Sequence, residues 1–451
     1  MKHVVLKRYP LGNKRFIWKQ KDFVLSTFSC YPKDDTADGI PSEVADRCVK
    51  NLKECGFNML ELGWVAHEGA WAAVDAAEKY GIDLIYQDFS IMGGMQHYYL
   101  ENKVPYETVE NLVSRLKDKK HVIGYYVWDE PHTEEQIAEA RRQMDMLQKA
   151  DPDALLFVVC ESQCNGNPKK DTNYLWENGR YEPHVKNFIE KLDPPVLSFD
   201  SYPIGDNFHT WPGHEVFIPE NQLNDTYMWV DMLLWRKHSV EKKLPFWFYY
   251  QGYHLFKCID YYTFPMVRTF MYAAILHGAK GLQQYAAGET NNSLLKANGE
   301  KSYFYEDQKQ IHSEIAALGD TLMALESKLV YHASDLLYDC EYIKPLVDSI
   351  NDSEIFTGEL PYRSSIGELE DEYSNRYAVV LNRDYEKPLS TTLDLKDDYR
   401  IYEVSKKDGK HNIIYDNTRK IDIDLAPGDA VVLRIQKATQ EPFTIAYELS
   451  E

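Results

Sequence analysis

The chain alternates between two textures for most of its length. Short apolar runs come first: "FVLSTFSCYP" (23–32), "FNMLELGWV" (57–65), "IDLIYQDF" (82–89), "VIGYYVWDEP" (122–131), "LLFVVCES" (155–162), "PVLSFDSYPI" (195–204), "PFWFYYQGYH" (245–254) and "AKGLQQYAAG" (279–288). Between them lie stretches such as "PSEVADRCVKNLKECG" and "TEEQIAEARRQMDMLQKAD", with apolar residues at helical spacing and acidic first turns. The first closes on Gly56, a residue suited to ending a helix. Near-continuous apolar strands that alternate with helices predict a parallel sheet covered on both faces.

Eight such units predict a (β/α)8 TIM barrel, a fold of roughly 250 residues plus insertions. A doubly wound open sheet is the alternative. It expects a glycine-rich phosphate loop after the first strand, and "SCYPKDDTADG" contains no G-x-G-x-x-G. After "IAALGDTLMALESKLV" the pattern changes to alternating segments ("RYAVVLNRDY", "STTLDL", "KIDIDL", "DAVVLRIQ") split by "KKDGK" and "APGD". These predict a small antiparallel β-sandwich. The expected division is a barrel over 1–330 and an accessory sandwich over 331–451, the latter without a catalytic constellation.

Composition narrows the function. With 44% hydrophobic residues the chain has enough apolar surface for a packed core. A net charge of −21 argues against nucleic acid or an anionic membrane as partner, because both demand excess Lys and Arg. The stretch "MKHVVLKRYPLGNKRFIWKQKDFVL" has no apolar run of signal-peptide length, and no window approaches the roughly 18 apolar residues of a membrane span. Seven scattered cysteines suit reduced thiols. The expected location is therefore cytoplasmic.

In a barrel of this kind the reactive residues sit at the C-terminal strand ends. Those positions offer Ser29, Tyr31, Glu61, Trp64, Gln87 and Asp88 from the early strands. The later strands add Asp129, Glu130, Glu161, Asp200, Tyr202, Gln251, His254, Gln284, Tyr285 and Glu289. Carboxylates, amides and aromatic rings in one cup suit a carbohydrate, which is neutral, rich in hydroxyls and apolar on its ring faces. No cofactor is expected. Cys160, Cys164, His184 and His209 have no second pair at zinc spacing, so no metal is expected either.

Glu130 is the sharpest candidate. Beside Trp128 and the charged Asp129, its carboxyl is expected to hold its proton more tightly, through desolvation and like charge, as a general acid requires. The competing reading makes it a surplus acid near a helix start capped by Thr133. Asp200, which ends "SFD" before Tyr202 and Pro203, is the first choice for a second catalytic carboxylate; a capping or turn role is its alternative. Glu161 and Glu61 have a second explanation as buried partners of Arg or Lys. Trp64, Asp88, Asp129, Tyr202, Gln251, His254, Tyr285 and Glu289 are candidates for substrate contact, and the aromatic insertion 205–225 is a candidate pocket wall.

"GYYVWDEP", "SFDSYPIG", "PFWFYYQGYH" and "MYAAILHGAKGLQQYAAG" together resemble the barrel of glycoside hydrolases related to family 42, in the retaining β-glycosidase clan. The resemblance covers about residues 20–330, and the C-terminal "LAPGDAVVLRI" is similar to the sandwiches such proteins carry. It implies that Glu130 is the acid/base. One departure stands out: the clan's seventh-strand nucleophile is Glu, and Gln251 occupies the corresponding position. An amide cannot form the glycosyl-enzyme. Another carboxylate (Asp200, Glu161 or Glu289) then serves, or a substrate group assists, or the barrel binds sugar without cleaving it. An isomerase or lyase is the weakest reading, for want of a metal cluster or a well-placed lysine.

Overall fold

The computed structural model describes residues 6–11, 15–20, 22–28, 41–62, 67–87, 100, 103–162, 181–202, 225–252, 263–285, 287–288, 293–336 and 346–442. A short antiparallel hairpin, β1 (Leu6–Leu11) and β2 (Arg15–Gln20), precedes the first barrel strand. Eight parallel strands follow: β3 (Val24–Phe28), β4 (Met59–Glu61), β5 (Asp83–Tyr86), β6 (Val122–Asp129), β7 (Leu155–Val159), β8 (Leu197–Ser201), β9 (Phe246–Gln251) and β10 (Gly281–Tyr285). Apart from β7 and β8, each pairs with its chain neighbour, and β10 returns to pair with β3. The remaining seam, β7 to β8, is joined at Cys160. Its N–H donates to the Ser198 carbonyl at 2.9 Å, and its carbonyl accepts the Asp200 N–H at 3.3 Å. The cylinder is closed, as the eight-unit rhythm predicts.

Helices α1 (Ser42–Glu54), α2 (His67–Tyr80), α3 (Tyr106–Leu116), α4 (Glu134–Ala150), α5 (Tyr181–Leu192), α6 (Asp225–Lys242), α7 (Phe264–Leu276) and α8 (Tyr305–Ala324) cover the cylinder. Helix α1 buries Ala45, Cys48, Val49 and Leu52, the i, i+3, i+4, i+7 stripe of a helix packed on a sheet. Outward residues of the strands join these helices in one large apolar core, and inward residues fill the cylinder as a second cluster. Among the described residues no helix is long and apolar enough to cross a membrane. Cys48, Cys55 and Cys160 are buried free thiols.

The second sheet opens with β11 (Glu326–His332). It continues through β12 (Phe356–Thr357), β13 (Ser364–Glu370), β14 (Arg376–Asn382), β15 (Leu389–Val404), β16 (His411–Leu425) and β17 (Ala430–Lys437). All pairs are antiparallel. The long β15 carries the small sandwich: its first half pairs with β12, its second half with β17, and the register breaks between Asp394 and Tyr399. A separate apolar core fills this domain. It docks on the barrel through α7, where Arg268 meets both Glu314 (2.9 Å) and Asp429 (2.7 Å).

Strand β6 departs from strict alternation twice, and both departures position the site. Ile123 and Tyr126 point into the cylinder, while Val122, Tyr125, Val127 and Trp128 face the helices. The register slips against β5 near Gly124 and against β7 between Tyr126 and Trp128. The second bulge puts two outward residues in a row and turns Asp129 back towards the barrel axis. Gly124 is required by close approach, since a Cβ there would stand 2.0 Å from the Leu155 carbonyl oxygen. Gly124→Ala is therefore expected to prise β6 from β7 and cost about 2–3 kcal/mol in chemical denaturation; an unchanged midpoint would contradict this account of the slip.

Candidate functional site

Parity along each strand decides which side chains reach the mouth. Inward positions are Val24, Ser26 and Phe28 on β3, Met59 and Glu61 on β4, and Trp247, Tyr249 and Gln251 on β9. Leu155, Phe157 and Val159 line β7, so Glu161 continues that face; Ser198 and Asp200 do the same on β8. On β10 the inward set is Gly281, Gln283 and Tyr285. Gln284, the glutamine that the sequence offered at this strand end, faces the other way, with Tyr250 and Gly252 as its partners.

Glu130 follows the last residue of β6 with φ +51°, a left-handed conformation that costs a residue with a Cβ about 1–2 kcal/mol. Alternation alone would send its side chain away from Asp129; the turn brings both to the same mouth. The helix cap named in the alternative reading is present, and Glu130 lies three residues before it. Thr133 caps α4, its hydroxyl accepting the Gln136 N–H at 3.1 Å, and the Gln136 side-chain Oε1 accepts the Thr133 and His132 N–H groups in return. Trp128 is not where the sequence placed it. Its indole is fully buried on the helix side of β6, in the outer core, so it does not flank the carboxyls in the mouth.

What surrounds Glu130 is other acids. Its carboxyl is hydrogen-bonded to that of Asp200, and Glu161 and Asp129 lie close enough to act on it by charge. Desolvation first, then the charges of Asp200, Glu161 and Asp129, hold its proton well above the usual carboxylate range. Burial raises Asp200 as well, but hydrogen bonds from Glu130, from Tyr202 and from the Ser162 N–H (3.0 Å) favour its charged form. Within this pair the proton belongs on Glu130 and the charge on Asp200. Ser162 is itself steadied by Asp231 on α6, which accepts its hydroxyl.

Asp129 accepts the Tyr126 hydroxyl at 2.8 Å. Glu161 is raised by burial and by the charges of Asp200 and Asp129, and His132 stands 4.0 Å from it. Among the described residues, neither Glu161 nor Glu61 has an Arg or Lys partner; Glu61 is held by Ser26 and Gln283. Asp129, Glu161 and Asp200 are each more than nine-tenths buried, whereas Glu130 keeps a partly open side chain. Of these four acids it is the most open.

The other arc of the mouth is aromatic and amidic. Tyr285 stacks on Phe28 (5.7 Å, 24°) and lies 5.1 Å from the Tyr202 ring, and Gln251 ends β9 in register with Tyr285. Tyr202 and Tyr285 are both half-buried. Of the residues singled out in the sequence, Asp129, Glu130, Glu161, Asp200, Tyr202, Gln251 and Tyr285 thus come together at one end of the cylinder. Trp64, Asp88, His254 and Glu289 lie outside the described residues, as do Ser29, Tyr31, Cys164, His209 and the insertion 205–225. Sequence reasoning missed Ser26, Tyr126, Ser162, Ser198, Asp231 and Gln283. Strand parity could have found Ser26, Ser198 and Gln283; Asp231 left no local signal. Among the described residues, no group of three or more His, Cys, Asp or Glu is placed to hold a metal ion.

No family model matches the chain, and no curated protein matches it in sequence. Solved structures do. A glycoside hydrolase of family 5 from Bacteroides vulgatus aligns with TM-score 0.58 at 13% identity, covering 98% of this chain and 96% of its own. A second glycoside hydrolase aligns with TM-score 0.55 at 14% identity over 93% of each chain. A β-galactosidase from Rahnella sp. R3 aligns with TM-score 0.53 at 9% identity, over 95% of this chain and all of its own. The barrel with its appended β-domain is therefore a fold shared with these enzymes.

The Glu130 carboxyl binds its proton more tightly in the folded than in the unfolded chain. Its contribution to stability is complete below the unfolded value near 4.5 and is lost as pH rises through the folded one. Thermal melts from pH 5 to 9 should fall more steeply for the parent protein than for Glu130→Gln; parallel curves would contradict the burial of this proton.

Proposed function

We propose that the protein is a glycoside hydrolase, related to family 42, that cleaves an O-glycosidic bond of an oligosaccharide with Glu130 as general acid. The observation that carries this is the position of Glu130: partly open to the mouth, hydrogen-bonded to Asp200, with its proton retained. Such an acid can protonate the leaving oxygen as the bond to the anomeric carbon breaks. Tyr202 and Tyr285 offer ring faces for a sugar, and Gln251 and Asp129 offer hydrogen bonds. Trp64, Asp88, His254 and Glu289, at or just past neighbouring strand ends, complete the proposed set of contacts. No cofactor enters the reaction, and a cytoplasmic location remains part of the proposal.

The contact between Glu130 and Asp200 bears on mechanism. Carboxyls that straddle a glycosidic bond stand about 5–5.5 Å apart in retaining enzymes and about 6.5–9.5 Å apart in inverting ones. A directly hydrogen-bonded pair fits neither spacing, which supports Asp200 acting on the proton of Glu130 rather than across the bond. This favours a second reading, in which a 2-acetamido group of the sugar is the nucleophile. Its carbonyl oxygen bonds to C1 as the C1–O bond to the leaving group breaks and Glu130 gives up its proton. Glu130 then takes a proton from the water that reopens the ring.

Glu130→Gln is expected to lower kcat/KM about 10²- to 10⁴-fold while sugar binding by calorimetry is kept; undiminished turnover would remove the proposal. Sugar affinity in the parent without turnover on a broad glycoside panel would favour a non-catalytic barrel. Paired aryl glycosides that differ only at C2 test the mechanism. Substrate assistance predicts cleavage of the 2-acetamido member and not of the 2-hydroxy member, and equal rates on both would dismiss it.

A further inference from the structure

Beneath the acids of the mouth lies one more carboxyl, and it is completely sealed. Glu61 is fully buried inside the cylinder. Its Oε1 accepts the Ser26 hydroxyl at 2.5 Å and the Gln283 amide at 2.7 Å, and the Gln283 carbonyl oxygen accepts the Ser198 hydroxyl at 2.8 Å. Four strands (β3, β4, β10 and β8) are thus tied through the barrel core by one polar chain. It ends two residues before Asp200 on the same inward face of β8. The other oxygen, Oε2, has no hydrogen-bond partner among the described residues. A structural carboxyl would be expected to use both oxygens, because an unsatisfied buried one is costly.

The groups facing Glu61 are known from each neighbouring strand. From β3 comes the Ser26 hydroxyl, from β10 the Gln283 amide, from β5 the apolar Ile85 in register, and from β6 the titratable pair Asp129 and Tyr126. None of these is a cation. Asp129 acts by charge on both Glu61 and Glu130, and Tyr126 feels the charge of all three acids.

We propose that Glu61 is a positioning residue whose ionisation adds negative charge beneath Asp129 and so keeps the proton on Glu130 in alkaline solution. Burial, opposed by its two hydrogen bonds and reinforced by the charge of Asp129, sets its own titration at about 7. Below that pH the site carries one charge fewer. Above it the extra negative charge disfavours a further charge on Glu130, so the acid stays loaded over a wider range. The inference rests on the reading of Glu130 as general acid.

The test is the pH profile of kcat/KM, each enzyme normalised to its own maximum. Glu61→Gln keeps an oxygen for Ser26 and Gln283 but cannot ionise. Its alkaline half-maximal point should fall by about half a pH unit or more; a superimposable profile overturns the proposal. Should that variant not fold, Ser26→Ala serves instead. It removes a hydrogen bond that favours the ionised carboxyl, and the alkaline limb should move in the same direction; an unmoved limb overturns the proposal. A separate readout needs no substrate: Glu61→Gln should melt at a higher temperature than the parent at pH 8, with a smaller difference at pH 5. Equal differences at both pH values also overturn it. If the parent and Glu130→Gln hydrolyse glycosides equally, the hydrolase reading fails, and the melting comparison still reports on Glu61.

Discussion

Acids crowded into a low-dielectric mouth cannot all be charged, and this constraint organises the end of the barrel. Two unit charges 4 Å apart repel by about 4 kcal/mol at an effective dielectric of 20, so neighbouring buried carboxyls must share protons. Here Asp129, Glu130, Glu161 and Asp200 come from three adjacent strands, β6, β7 and β8, and three of them are almost wholly buried. The partition of protons follows from local hydrogen bonds. Asp200 receives donors from Ser162, Tyr202 and Glu130 and is the best place for a charge; Glu130 is left with the proton.

The backbone gives up regularity to build this arrangement. Two register slips in β6 and a left-handed residue at 130 run against the ordinary preferences of a strand, and each carries a cost. The surrounding cylinder over-determines them. Gly124 lets β6 approach β7, the capping box at Thr133 fixes the start of α4, and the Cys160 bridge closes the seam beside Asp200. A strained residue that survives where four acids meet is the pattern expected of a working site.

Much of the fold was legible because it depends on periodicity. The eight apolar runs coincide with β3–β10, the stripe in "SEVADRCVKNLKE" becomes the buried face of α1, and the alternating tail becomes the second sheet. Parity correctly predicts inward side chains wherever a strand is regular. It fails in β6, where a bulge is a tertiary event with no signature in "YYVWDEP", and so Trp128 was expected in the mouth. The two glutamines of "GLQQY" show the same limit: a one-residue uncertainty in strand phase exchanges the inner residue for the outer. The partners of Glu61 were beyond reach for another reason. Ser26 and Gln283 lie 35 and 222 positions away, and only closure of the barrel brings them to one carboxyl.

Everything proposed for this chain depends on a proton that stays on Glu130 at neutral pH. Carbon-13 NMR of protein labelled at the glutamate side-chain carboxyls measures it directly. The account predicts one resonance, absent in Glu130→Gln, that keeps the chemical shift of a protonated carboxyl through pH 7. If that resonance has already titrated by pH 5, Glu130 is an ordinary carboxylate and the account fails.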